Sequence, residues 1–64
     1  MSDLSQYYGL TLGVDISAEE IKSALHASAV RVADPDTALT MDYITSRITI
    51  FIDYNKVIQE IVFG

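Results

Sequence analysis

The run DPDTALTMDYITSR, Asp34 to Arg47, most constrains what this chain can fold into. It separates AVRVA from ITIFID, two β-branched stretches with the alternating pattern of strands. Antiparallel neighbours join through a few residues, whereas parallel ones need a crossover of about a dozen, the length of Asp34 to Ser46. The connection holds no glycine, a single proline and none of the Asn-Gly or Asp-Gly steps of a tight turn. Loops of this length without secondary structure are uncommon in compact domains and are usually functional or disordered. Leu39, Met41, Tyr43 and Ile44 make this one too apolar for disorder. The residues describe an ordered, extended peptide on display, with Met41 near its centre.

The flanking sequence supplies the scaffold. In DISAEEIKSALHAS, Ser17 followed by Glu20 fits the capping box that opens a helix. Glu19 and Glu20 then sit in the first turn, where the helix dipole favours negative charge. Ala18, Ile21, Ala24, Leu25 and Ser28 recur at helical spacing and form one narrow face. Ile48, Ile50 and Ile52 share one side of the second strand, with Thr49 and Phe51 on the other. YNK marks a turn, and VIQEIVF is a further strand ending before Gly64. Ahead of the helix, Leu10, Leu12 and Val14 alternate as in an extended stretch laid along the core. Tyr7 and Tyr8 read as packing residues, and His26 as a solvated residue at the helix end. The expected fold class is α+β: one helix on a small mixed sheet, with the long loop joining two parallel strands, in one domain over residues 1–64.

Composition excludes several function classes. Four basic residues against nine acidic ones give a net charge of -5. Lys22, Arg31, Arg47 and Lys56 are scattered, so no basic patch for nucleic acid is expected. No apolar run approaches the roughly 20 residues that cross a membrane. The N-terminus has no basic region leading into an apolar core, so no signal peptide is visible, and a soluble protein is expected in the cytoplasm or secreted with its signal removed. Cysteine is absent and no metal-ligand cluster stands out, so disulfides, metals and cofactors are not expected. His26 is the sole histidine, and no paired carboxylates or glycine-rich phosphate loop suggest an enzyme.

TALTMDYITSRITIFID resembles the reactive-site loop and following strand of the potato type I serine-protease inhibitors. That family includes the barley chymotrypsin inhibitor, the leech inhibitor eglin and their bacterial and fungal relatives. SAEEIKSAL and LTLG are similar to the family's helix and its lead-in, ADPD to the step before its loop, and Gly64 to its closing glycine. The resemblance runs from about Leu10 to Gly64, and its specific part is the Thr-Met-Asp-Tyr run with Arg47 in register. It implies a substrate-like inhibitor whose reactive-site loop is Ala38, Leu39, Thr40, Met41, Asp42 and Tyr43. Met41 would fill the protease's primary pocket and Asp42 would follow the attacked bond. An apolar methionine suits subtilisin-like, chymotrypsin-like or elastase-like serine proteases.

The same resemblance implies that strand arginines hold the loop through charge-assisted hydrogen bonds. Arg47 stands at one such position, and Thr49 stands where plant and leech members carry a second arginine. Ile44 replaces an arginine often found past the scissile bond. Arg47 and Thr49 are therefore the expected loop anchors, and the expected state is a monomer or weak homodimer. The alternative is a non-inhibitory acidic interaction module of the same fold. In that reading the chain binds a basic protein or associates with itself through an open sheet face.

Overall fold

The computed structural model describes residues 4–37 and 44–64. The described chain forms a short 3-10 helix, Leu4–Tyr7, then helix α1, Ala18–Ala24, and strands β1, Ala29–Ala33, β2, Arg47–Ile52, and β3, Ile58–Phe63. The sheet order is β1-β2-β3, with β1 parallel to β2 and β2 antiparallel to β3. This is the α+β arrangement expected, including the parallel pair demanded by the length of the connection.

Pairing of Val30 with Ile48 and of Arg31 with Thr49 sets the register of β1 on β2. Successive side chains of a strand point to opposite faces, so the register sorts the two sides. Ile48 and Ile50 are fully buried on the helix side, where they cluster with Ile21 of α1 and with Tyr7, Ile58 and Ile61. The other face carries Arg31, Arg47, Thr49 and Phe51. Phe51 is half-buried there, while Thr49 at the centre is only 1% exposed.

Helix α1 starts as its sequence requires and stops earlier than the apolar spacing suggests. The Ser17 side chain accepts from the Glu20 backbone N–H at 3.2 Å. At the other end, Ala27 N–H donates to Lys22 O at 3.0 Å and His26 N–H to Ser23 O at 3.2 Å. These two bonds form a Schellman cap, which needs a left-handed residue just past the helix. His26 takes that role with φ 56, a conformation that normally favours glycine. Ala24 is consequently exposed in the final turn, and Ser28 leaves the helix for the approach to β1.

The N-terminal segment covers the free edge of β3. Gly9 N–H donates to Ile58 O at 2.9 Å, Ile58 N–H to Leu10 O at 2.8 Å, and Leu12 N–H to Lys56 O at 2.8 Å. Tyr8 contributes from its side chain, whose hydroxyl accepts from Ile61 N–H at 3.4 Å, with the residue 39% exposed. Capping an edge strand in this way removes a template for pairing with other chains. The expected alternation fails at Val14, which is 81% exposed. Gly13, at φ 88, turns the chain so that Gly13 N–H donates to Ile16 O at 2.7 Å, leaving Val14 at the tip.

Candidate functional site

The connection between β1 and β2 is fastened at each described end. At the entry, Pro35 supplies a preset φ for a turn over Asp34–Thr37. Thr37 N–H donates to Asp34 O at 3.0 Å, and Asp34 N–H donates back to the Thr37 hydroxyl at 3.1 Å. Asp34 Oδ1 accepts from the Thr37 hydroxyl at 2.8 Å and from Asp36 N–H at 3.0 Å. The Tyr54 hydroxyl donates to Asp36 Oδ1 at 3.0 Å, tying this turn to the β2–β3 hairpin. The hairpin tip is itself wired, because Asp53 Oδ1 accepts from both Asn55 N–H and Val57 N–H, at 2.8 and 2.9 Å.

At the exit, Arg47 N–H donates to Ile44 O at 3.1 Å, closing a turn into β2. Ser28 grips Ser46: its N–H donates to Ser46 O at 2.8 Å, and its hydroxyl lies within donating distance of Ser46 Oγ at 2.9 Å and Ser46 O at 3.2 Å. These bonds bring the start of β1 and the start of β2 together before the sheet begins.

Between the fastenings lies the polar side of the sheet. Arg47 is half-buried, with its Nε enclosed, and its carbonyl accepts from Gly64 N–H at 2.7 Å. The Thr49 hydroxyl donates to Gly64 O at 2.6 Å. It accepts from Arg31, whose Nε and Nη2 lie at 3.4 and 3.3 Å. Thr49, expected as a loop anchor, thus makes its described bonds to a neighbouring strand and to the end of β3. The expected reactive-site residues Ala38, Leu39, Thr40, Met41, Asp42 and Tyr43 lie outside the described residues.

Arg31, Tyr54 and Ser28 are contributors that sequence reasoning did not single out. Each acts across 18 residues of chain, so its partner becomes visible only once strand register is known. The signal for Arg31 was its place in AVRVA, two residues after the position that pairs with Arg47.

Among the described residues no helix is long and apolar enough to cross a membrane. No protein-family model and no curated protein matches the chain. Among solved structures, the chain is similar to the elastase inhibitor AFUEI (crystal form II), with a TM-score of 0.74 and 24% identity. The match covers 95% of this chain and 82% of that one. At this identity the likeness is one of fold.

Proposed function

We propose that this chain is a substrate-like inhibitor of a subtilisin-, chymotrypsin- or elastase-type serine protease, built on the potato type I plan. The observation that carries the reading is the parallel β1–β2 pair, whose long connection is fastened at Asp34–Thr37 on one side and at Ser46 on the other. A helix is the usual crossover between parallel strands. Here the sequence spends the crossover on Ala38 to Tyr43, residues suited to display.

In this mechanism Met41 enters the protease's primary pocket, and the main chain of Ala38 to Thr40 pairs with the enzyme as a substrate would. Fastened ends lower the entropy that the segment loses on docking, so more of the contact energy appears as affinity. Cutting Met41–Asp42 leaves both new ends tethered to one sheet, so the amine stays near the acyl-enzyme and the bond re-forms. The likeness of fold to an elastase inhibitor supports the same reading.

Titration of subtilisin, chymotrypsin and elastase with the intact chain is the test, and inhibition of at least one at submicromolar concentration is expected. Absence of inhibition of all three at micromolar concentration would sink the proposal. A dimer by light scattering, together with binding to a basic protein that survives Met41→Ala, would instead identify an interaction module.

A further inference from the structure

We propose that the outer edge of β1 pairs antiparallel with β1 of a second copy of this chain, Arg31 facing its counterpart across a two-fold axis. The pairing uses only Ala29–Ala33 and does not depend on the inhibitor reading. β1 stands at one end of the sheet order, so one of its sides has no neighbouring strand.

Strand geometry identifies the main-chain groups on that side. Arg47 O accepts from Gly64 N–H, so Arg47, Thr49 and Phe51 turn their main-chain groups toward β3. Ile48 and Ile50 then turn theirs toward β1. In a parallel ladder each bonds the residues flanking its register partner, and those partners are Val30 and Val32. Ala29, Arg31 and Ala33 therefore point inward, while the N–H and C=O of Val30 and Val32 point outward. Among the described residues nothing bonds these outward groups.

The fold treats its two edges differently. The N-terminal segment and the Tyr8 hydroxyl bond the edge of β3 at Ile58 and Ile61. β1 has none of the devices that blunt an edge, such as proline, lysine or a bulge. Its one charged side chain, Arg31, is drawn over β2, with Nε and Nη2 at 3.4 and 3.3 Å from Thr49 Oγ1. Val32, 38% exposed, presents a β-branched side chain beside the open edge.

The unpaired stretch is short, and a second copy matches it. It ends where Ser28 N–H is taken by Ser46 O and Asp34 N–H by the Thr37 hydroxyl. A two-fold axis that sets Val30 against Val32 of the other copy uses every outward group of both residues in both copies. The valines then form β-branched cross-strand pairs. Sliding the register either way opposes a valine to Ser28 or Asp34, whose N–H groups are already engaged. Each copy carries a net charge of -5 and the contact is one short strand, so the dimer is weak and strengthens as salt screens repulsion.

The test is sedimentation equilibrium from about 10 µM to about 1 mM protein, the range where a small interface dissociates, joined to amide exchange by NMR. Dimers should appear at the upper concentrations and increase with salt. Exchange at Val30 and Val32 should slow in step with dimer, while exchange at Phe63 stays unchanged. Val32→Pro deletes an outward N–H where an edge strand tolerates proline, and should weaken the dimer about 10- to 100-fold. Val32→Lys keeps the main chain intact, sets an ammonium beside the seam and should weaken it as well. Because the chain has no cysteine, Arg31→Cys reads the register. Facing residues of a non-hydrogen-bonded pair have Cα atoms about 4.5 Å apart, within disulfide reach. Arg31→Cys should therefore crosslink far faster than Val14→Cys, whose side chain is more exposed but lies off this edge.

A chain that stays monomeric throughout the range overturns the proposal. So does a dimer that leaves exchange at Val30 and Val32 unchanged, or one that survives both Val32 variants. None of these outcomes depends on whether a protease is inhibited.

Discussion

The Tyr54 hydroxyl meets Asp36 Oδ1 at 3.0 Å, so the tip of one hairpin holds the beginning of the β1–β2 connection. Tyr54 is 72% exposed, so its ring buries little while its hydroxyl makes this bond. Here the contact is intramolecular and fixes where the connection departs.

Tyr54→Phe separates loop positioning from stability. The ring buries little, and one exposed hydrogen bond is worth at most about 1 kcal/mol. Urea unfolding should therefore show a midpoint close to native, while inhibition weakens several-fold and cleavage quickens. A fall in stability as large as that of a core substitution would show that the hydroxyl serves the fold instead.

The core predicts the opposite pattern. Ile50 is fully buried against Ile21 and Ile48. Ile50→Val removes one methylene from a packed interior and should cost about 0.5–1.5 kcal/mol, whereas Ile50→Ala should cost about 2–5 kcal/mol. A domain this small has little stability in reserve. Chemical denaturation should find the alanine variant substantially unfolded and the valine variant folded with a lower midpoint.

His26 and Lys56 offer the reverse, a gain. Both hold positive φ, 56 and 65, without being glycine. Lys56 closes the Asp53–Lys56 turn, its N–H donating to Asp53 O at 3.0 Å, at the place where a three-residue hairpin loop wants a left-handed residue. A β-carbon in that region costs about 1–2 kcal/mol. Glycine removes the cost but adds freedom to the unfolded chain, so a net gain of about 0.5–1 kcal/mol is expected for His26→Gly and for Lys56→Gly. Thermal melts should rise for each and rise further for the pair, because the helix cap and the hairpin loop are separate sites. A fall in either single variant would mean that the side chain makes a compensating contact.

These positions show where the sequence was legible. AVRVA spans Ala29–Ala33, the bounds of β1, because a β-branched alternating run bordered by polar residues has few other uses. Ser17 announced the helix start through a local bond, and the length of the connection met what a parallel pair needs. The helix end was hidden because histidine stands where glycine would have signalled the cap. The 3-10 turn at Leu4–Tyr7 was hidden because four residues carry no period; Tyr7 is its buried residue. Thr49 was legible as a departure from the family pattern. That Arg31 lies across it depends on a register between residues 18 apart, which no local pattern encodes.

Met41 carries the most direct prediction about function. In the proposed mechanism its side chain is the group that the protease pocket receives, and burial of such a side chain is worth about 1.5–3 kcal/mol. Met41→Gly should therefore weaken inhibition of subtilisin or chymotrypsin by about 10- to 150-fold without altering the melting temperature. Met41→Lys replaces apolar burial with an ammonium that suits an acidic pocket, so inhibition should move toward trypsin. The ratio of inhibition constants for trypsin and chymotrypsin reads this directly and should change by about 100-fold or more. If neither substitution alters the rank order of proteases inhibited, Met41 is not the residue that enters the pocket. Inhibition would then have to arise from another surface of the fold.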